Sequence, residues 1–150
     1  MHTVKKKRPK LLIGRREQIG FPDLGLDDVT AKIDTGAYSS AIHCHQIREQ
    51  NGVLYFKLLS PLHPGYKNEE CSTTHFIQKE IRNSFGESET RYIIETRVRI
   101  GQRLIKSVIS LSNRGTMRYP VLIGRRLLKN KFVVDVEQLN LAPLHILAYT

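Results

Sequence analysis

Cysteine is scarce: the 150 residues hold two, Cys44 and Cys71. Two thiols make no disulfide framework and suit a reducing cytosol, so the fold is expected to rest on its core rather than on covalent staples. Long apolar runs are missing too. No stretch approaches the roughly 18 residues that span a bilayer. The apolar residues 11–13, behind the basic Lys5-Lys6-Lys7-Arg8, are too short for a signal peptide, and a cytoplasmic location without a membrane partner is expected. Acidic residues form the third deficit: 14 Asp and Glu stand against 24 Lys and Arg, a formal net charge of +10. Such a balance predicts attraction to something acidic, whether nucleic acid, an anionic surface or an acidic peptide. No RNA-recognition aromatic pattern, zinc finger or helix-turn-helix accompanies the charge, which disfavours nucleic acid. Scattered residues such as Arg97, Arg99 and Arg103 read as solvated strand faces. A glycine-rich phosphate loop is absent, so any dependence on ATP would act through a partner.

What remains is an ordinary globular composition, 40% hydrophobic and 25% charged, long enough for one domain with a real core. Residues 1–10 read as a flexible basic tail and residues 11–150 as a single domain. The dominant period is two. Tyr92, Ile94, Thr96, Val98 and Ile100 fall on one strand face, with Glu95, Arg97 and Arg99 on the other. Gly101-Gln102 is a tight hairpin connection, and residues 104–111 pair back. Further strands are expected over residues 11–19, 29–33, 40–45, 53–59, 73–82, 119–124 and 132–136, with loops at 60–70, 83–89 and 112–118. Residues 125–129 suit a single helical turn. Many short strands with almost no helical periodicity predict an all-β barrel or sandwich.

The chain is organised around Ala31-Lys32-Ile33-Asp34-Thr35-Gly36-Ala37. Here an alternating apolar strand delivers a carboxylate onto a glycine-containing turn. A lone Asp-Thr-Gly arises by chance in roughly one chain of this length in thirty, and it is also a good turn sequence. The apolar strand before it and Leu122-Ile123-Gly124-Arg125 far downstream make it more specific. Hydrolysis by carboxylates needs two of them roughly 3 Å apart, sharing a proton. No other acid in the chain, whether Asp23, Asp27, Asp28 or Asp135, has the same strand-to-glycine setting. A two-fold homodimer would supply the second copy.

Asp34-Thr35-Gly36-Ala37 with the distal Val121-Leu122-Ile123-Gly124-Arg125 resembles the retropepsin-like aspartic proteases. More closely, residues 13–17, 31–37, 82–91 and 117–126 resemble a bacterial family that carries the label ATP-dependent zinc protease and accompanies ATP-grasp amino-acid ligases. The resemblance implies a closed retropepsin-like β-barrel with one short C-terminal helical turn. It implies an aspartic-type endopeptidase in which Asp34 is the catalytic acid and base. Thr35 would lock the two loops across the dimer axis, Gly36 would let substrate approach, Ala37 would complete the loop, and Gly124 would pack beside it. The hairpin about Phe85, Gly86 and Glu87 is the candidate flap. The substrate would be a peptide or protein, acidic by charge complementarity, and an ATP-grasp ligase is the implied partner.

Two other readings compete. A zinc hydrolase, as the family label implies, would draw on His43, His45 and His75, near Cys44 and Cys71. A catalytic zinc needs about three protein ligands, and the His-Glu-x-x-His signature is absent. No metal or other cofactor is therefore assigned. A non-catalytic basic barrel would hold an acidic partner through exposed aromatics among its cations, but Tyr92 lies on the apolar face.

Overall fold

The computed structural model describes residues 8–82, 84–113 and 118–148. Most of the basic tail therefore lies outside the described residues, as do Asn83 of the flap loop and residues 114–117 of the loop expected at 112–118. Alternation does what it predicts. Ile94, Thr96, Val98 and Ile100 on β8 (Ser88–Ile100) are buried, whereas Glu95, Arg97 and Arg99 face solvent. β8 turns at Gly101, whose φ of +61° favours glycine, and returns as β9 (Arg103–Ser112) in register from Ile100↔Arg103 to Tyr92↔Leu111.

The expected strand over residues 11–19 is two strands, β1 (Lys10–Gly14) and β2 (Arg16–Phe21). They separate because Gly14 lies flush against the backbone of Gln138, where a Cβ would come 2.4 Å from its carbonyl oxygen. β1 leaves to pair with β11 (Phe132–Asp135) in parallel and with β12 (Leu147–Ala148) antiparallel. β2 pairs with β3 (Leu26–Ile33) and with β8. The strand expected over 40–45 is longer, β4 (Ser40–Gln50), bent between His45 and Arg48 with Gln46 at a φ of +51°. The bend breaks the period-two pattern that would have carried the strand onward. Asn51-Gly52, both at positive φ, then closes a hairpin to β5 (Val53–Leu58). The extended stretch at 73–82 divides into β6 (Glu70–Thr73) and β7 (Phe76–Arg82), with β6 on β5 and β7 on β8.

The last barrel strand, β10 (Val121–Ile123), is three residues long and closes the sheet. It pairs in parallel with β3 and antiparallel with β4, so β10, β3, β2, β8, β9 and β4 form a closed six-stranded ring. Its interior is filled by Ile19, Val29, Ala31, Ile42, Ile94, Val98 and Ile109, each at most 2% exposed. Helix α1 (Arg125–Leu128) is the single helical turn expected, and it is followed by β11, a 3-10 turn at Ala142–Leu144 and β12. The barrel is therefore all-β, as expected. Among the described residues no helix is long and apolar enough to cross a membrane.

Candidate active site

Asp34 follows the last residue of β3 and begins the loop that leads to β4. β10 lies between the two strands that this loop joins, with Ile123 opposite Ile33 and Leu122 opposite Ala41. The chain thus threads a distant strand under its own Asp-Thr-Gly turn. The Asp34 amide donates to the Ile123 carbonyl at 2.8 Å, and the Ile33 amide to the Arg15 carbonyl at 2.9 Å. Within the turn, Asp34 Oδ1 accepts the Gly36 amide at 3.1 Å and the Asp34 carbonyl accepts the Ala37 amide at 3.2 Å. This is the local bonding that makes Asp a turn former.

The segment after β10 holds the turn from the other side. The Gly124 amide donates to Ser40 Oγ at 2.9 Å, buried. A Cβ at Gly124 would sit 2.5 Å from the Ser39 carbonyl oxygen and 2.7 Å from that of Tyr38, so only glycine fits the contact. The first amides of α1, which have no partner inside a helix, donate outward: Arg125 to the Ala37 carbonyl at 2.8 Å and Arg126 to the Tyr38 carbonyl at 3.0 Å. The Arg125 guanidinium adds a bond from Nη1 to the Thr35 carbonyl at 3.0 Å. The carbonyls of Thr35, Ala37 and Tyr38 are thereby all fixed. The partner of the Arg125 side chain is thus a backbone carbonyl of the loop.

Asp34 is half-buried, Thr35 and Gly36 are exposed, and Ala37 is partly covered. A Cβ at Gly36 would meet Asp34 Oδ1 at 3.4 Å, an ordinary contact. Beside the turn runs an open groove of about 750 Å3 lined by Thr35, Tyr38, Arg125, Arg126, Lys129 and Phe132, among others. Among the described residues that line it, the charged side chains are all positive. The β7–β8 hairpin carries the candidate flap at its tip, where Phe85 and Glu87 are exposed and Gly86 has a φ of +79° with open space around it.

The histidines are not gathered as a metal centre. His45 Nδ1 lies 2.8 Å from the Leu59 carbonyl and Nε2 lies 3.1 Å from Tyr66 Oη, so both ring nitrogens are engaged. His43 is buried with Nδ1 unpartnered, and its pKa is depressed by burial and then by the charge of nearby His45, against a bond to the Ser112 backbone. His75 stands at the start of the β7 arm, beside Glu95. Among the described residues no group of three or more His, Cys, Asp or Glu could hold a metal ion.

One residue was missed by sequence reasoning. Glu17 on β2 is fully buried, with Oε2 accepting the amides of Gly14 at 2.7 Å and Leu141 at 2.9 Å, and Oε1 that of Ala142 at 2.9 Å. The signal was present, because Glu17 falls in alternation with the inward Ile19 and Phe21. A carboxylate there without partners would cost on the order of several kcal/mol.

Comparison with known proteins agrees with this architecture. A Legionella pneumophila protein of unknown function, whose crystal structure is solved, superposes with a TM-score of 0.66 at 23% identity, over 88% of this chain and 98% of that one. That likeness concerns the fold. A protein of Shewanella pealeana named a probable alpha-L-glutamate ligase is 33% identical over 135 residues, 86% of this chain and 29% of its own length. One of the same name from Desulfotalea psychrophila is 30% identical over 130 residues, 84% and 28% of the two chains. The chain therefore spans under a third of these curated relatives. The model of the RimB-like family, described as the retropepsin-like aspartic endopeptidase RimB, matches residues 12–144. By that match the chain belongs to the RimB-like family of retropepsin-like aspartic endopeptidases.

Proposed function

We propose that this domain is an aspartic peptidase whose active site is made from two copies of Asp34, one from each subunit of a homodimer. The observation that carries the reading is the Asp34 turn itself. It is held from beneath by Ile123 and from the side by Arg125 and Gly124, while Thr35 and Gly36 face solvent. Its carboxylate has a bond from its own loop, through the Gly36 amide. Such a turn is half a site. Two carboxylates brought to roughly 3 Å cannot both ionise. The charged one takes a proton from water, which attacks the scissile carbonyl. The protonated one donates to the carbonyl oxygen, and a proton then passes to the leaving amine. The pair titrates as a unit, and no step is routed through a metal. Thr35 is proposed to join the two loops at the axis, Gly36 and Ala37 to line the approach, and Phe85, Gly86 and Glu87 to cover bound substrate.

The substrate is proposed to be an acidic peptide. The groove beside the turn presents Arg125, Arg126 and Lys129 with no acid among the described residues that line it, and the net charge is +10. The longer relatives are named glutamate ligases. We therefore take glutamate-extended peptides as the substrate class, and a glutamate-adding ATP-grasp ligase in the cytoplasm as the working partner.

The test is hydrolysis of a glutamate-rich peptide by the full chain and by Asp34→Asn. The variant is expected to fold and dimerise as the parent does and to lose turnover. Retained turnover in Asp34→Asn sinks the dyad. Loss of the parent's activity to a chelator, with stoichiometric zinc on metal analysis, would transfer the reaction to the zinc reading. Tight, salt-sensitive binding of oligonucleotides without hydrolysis would favour the binding module instead.

A further inference from the structure

Glu17 brings together parts of the chain that are far apart in sequence. No lysine or arginine forms an ion pair with it among the described residues. Its charge is met by backbone amides alone, one from the β1–β2 corner and two from the start of the 3-10 turn. Three donors on two oxygens suit a carboxylate, in which both oxygens accept. Glutamine would turn an N–H2 group towards at least one backbone N–H.

The same corner reaches Asp34. The Arg15 amide donates to the Gln138 carbonyl at 2.9 Å, and the Asn140 amide to the Arg16 carbonyl at 3.0 Å. Gly14 packs directly on Gln138 and Leu139, with no room for a side chain. On its other side, the Arg15 carbonyl accepts the amide of Ile33, the residue before Asp34. The backbone of Arg15 is thus a strut between the segment at 138–142 and the base of the Asp34 turn.

We propose that Glu17 is a positioning residue for Asp34: its carboxylate pins segment 138–142 to the β1–β2 corner, and the Arg15 carbonyl in that corner sets where Ile33, and so the Asp34 carboxylate, stands. Ile123 holds the Asp34 amide from one neighbouring strand, and the Arg15 strut holds Ile33 from the other. A dyad that must share one proton tolerates little displacement, and a misplacement of about 1 Å can cost on the order of 100-fold in rate. The kinetic part of this inference rests on the aspartic-peptidase reading; the mechanical part does not.

The experiment is Glu17→Gln in the full chain, read by kinetics on a glutamate-rich peptide and by amide exchange. In folded protein, kcat is expected to fall on the order of 10- to 100-fold with KM unchanged. The Ile33 and Asp34 amides, which Glu17 does not touch, are expected to exchange faster. A mere fold staple would lower the melting temperature and leave kcat and those two amides alone, and that result overturns the proposal. If Glu17→Gln does not fold, native-state exchange of the unaltered chain decides. The amides of Gly14, Leu141, Ala142, Ile33 and Asp34 should open together as one cooperative unit. Independent opening of Ile33 and Asp34 overturns the strut. If the unaltered chain shows no peptidase activity, the aspartic reading fails while the exchange measurement still judges the strut.

Discussion

The Gly124 amide and the Ser40 hydroxyl meet at 2.9 Å in the interior, across 84 residues of sequence. This bond ties the residue after the last barrel strand to the first residue of β4, where the loop from Asp34 ends. In Gly124→Ala the new methyl would fall on two backbone carbonyls, those of Ser39 and Tyr38. Neither can swing aside as a side chain would, so the strand or the loop must move. A destabilisation of about 1–3 kcal/mol is expected, with loss of peptide hydrolysis beyond the unfolded fraction. Ser40→Ala leaves the Gly124 amide buried without its acceptor, at a cost of about 1–3 kcal/mol. Urea unfolding checks both, and midpoints equal to the parent's would contradict the close contact.

The two thiols should respond unequally to a modifying reagent. Cys44 is buried, and its thiol is pushed well above the ordinary range by burial and then by Cys71. Cys71 is partly exposed, with its thiol raised by burial and then by Glu69. Because the thiolate is the reactive form, native protein at neutral pH should react slowly at Cys71 and at Cys44 only on unfolding. Cys71→Ser should give almost no native titre. Rapid labelling of Cys44 in that variant would show that β4 opens without global unfolding.

Burial of His43 gives the fold an acid-sensitive component. Its folded pKa lies below the ordinary 6.5, so the unfolded chain takes up the proton first. The contribution to stability is therefore complete above about pH 6.5 and is lost as pH falls from there through the folded value. The groups that act on the ring are His45, which disfavours its charge, and the Ser112 backbone, which favours it. Replacing His43 by Phe should flatten the stability profile below pH 6.5, as measured by urea midpoints. A profile of unchanged slope would mean that the acid sensitivity arises elsewhere.

Much of the barrel was legible because the signals are local. The alternation from Tyr92 to Ile100, the Gly101-Gln102 turn and the helical turn after Gly124 are each decided by neighbouring residues, and each stands as read. The errors came where a distant contact or a bend within a strand intervened. Gly14 divides a strand because Gln138 lies against it, and β4 runs past His45 because a bend at Gln46 changes which side chains face inward. Asn51-Gly52 carried a hairpin signal that the broken alternation obscured. Segment 139–148, apolar but without period, became a 3-10 turn and a strand only by pairing with β1 and bonding to Glu17.

The sequence by itself determined that strands dominate and that an aspartate sits on a glycine turn at the end of one, because period-two burial and turn bonding reach only a few residues. Tertiary structure alone decided that β10 passes beneath that turn, that Arg125 holds the Thr35 carbonyl, and that a buried glutamate takes three amides from opposite parts of the chain. These depend on closing a ring of strands, where each polar group of the backbone must find a partner wherever the fold brings one.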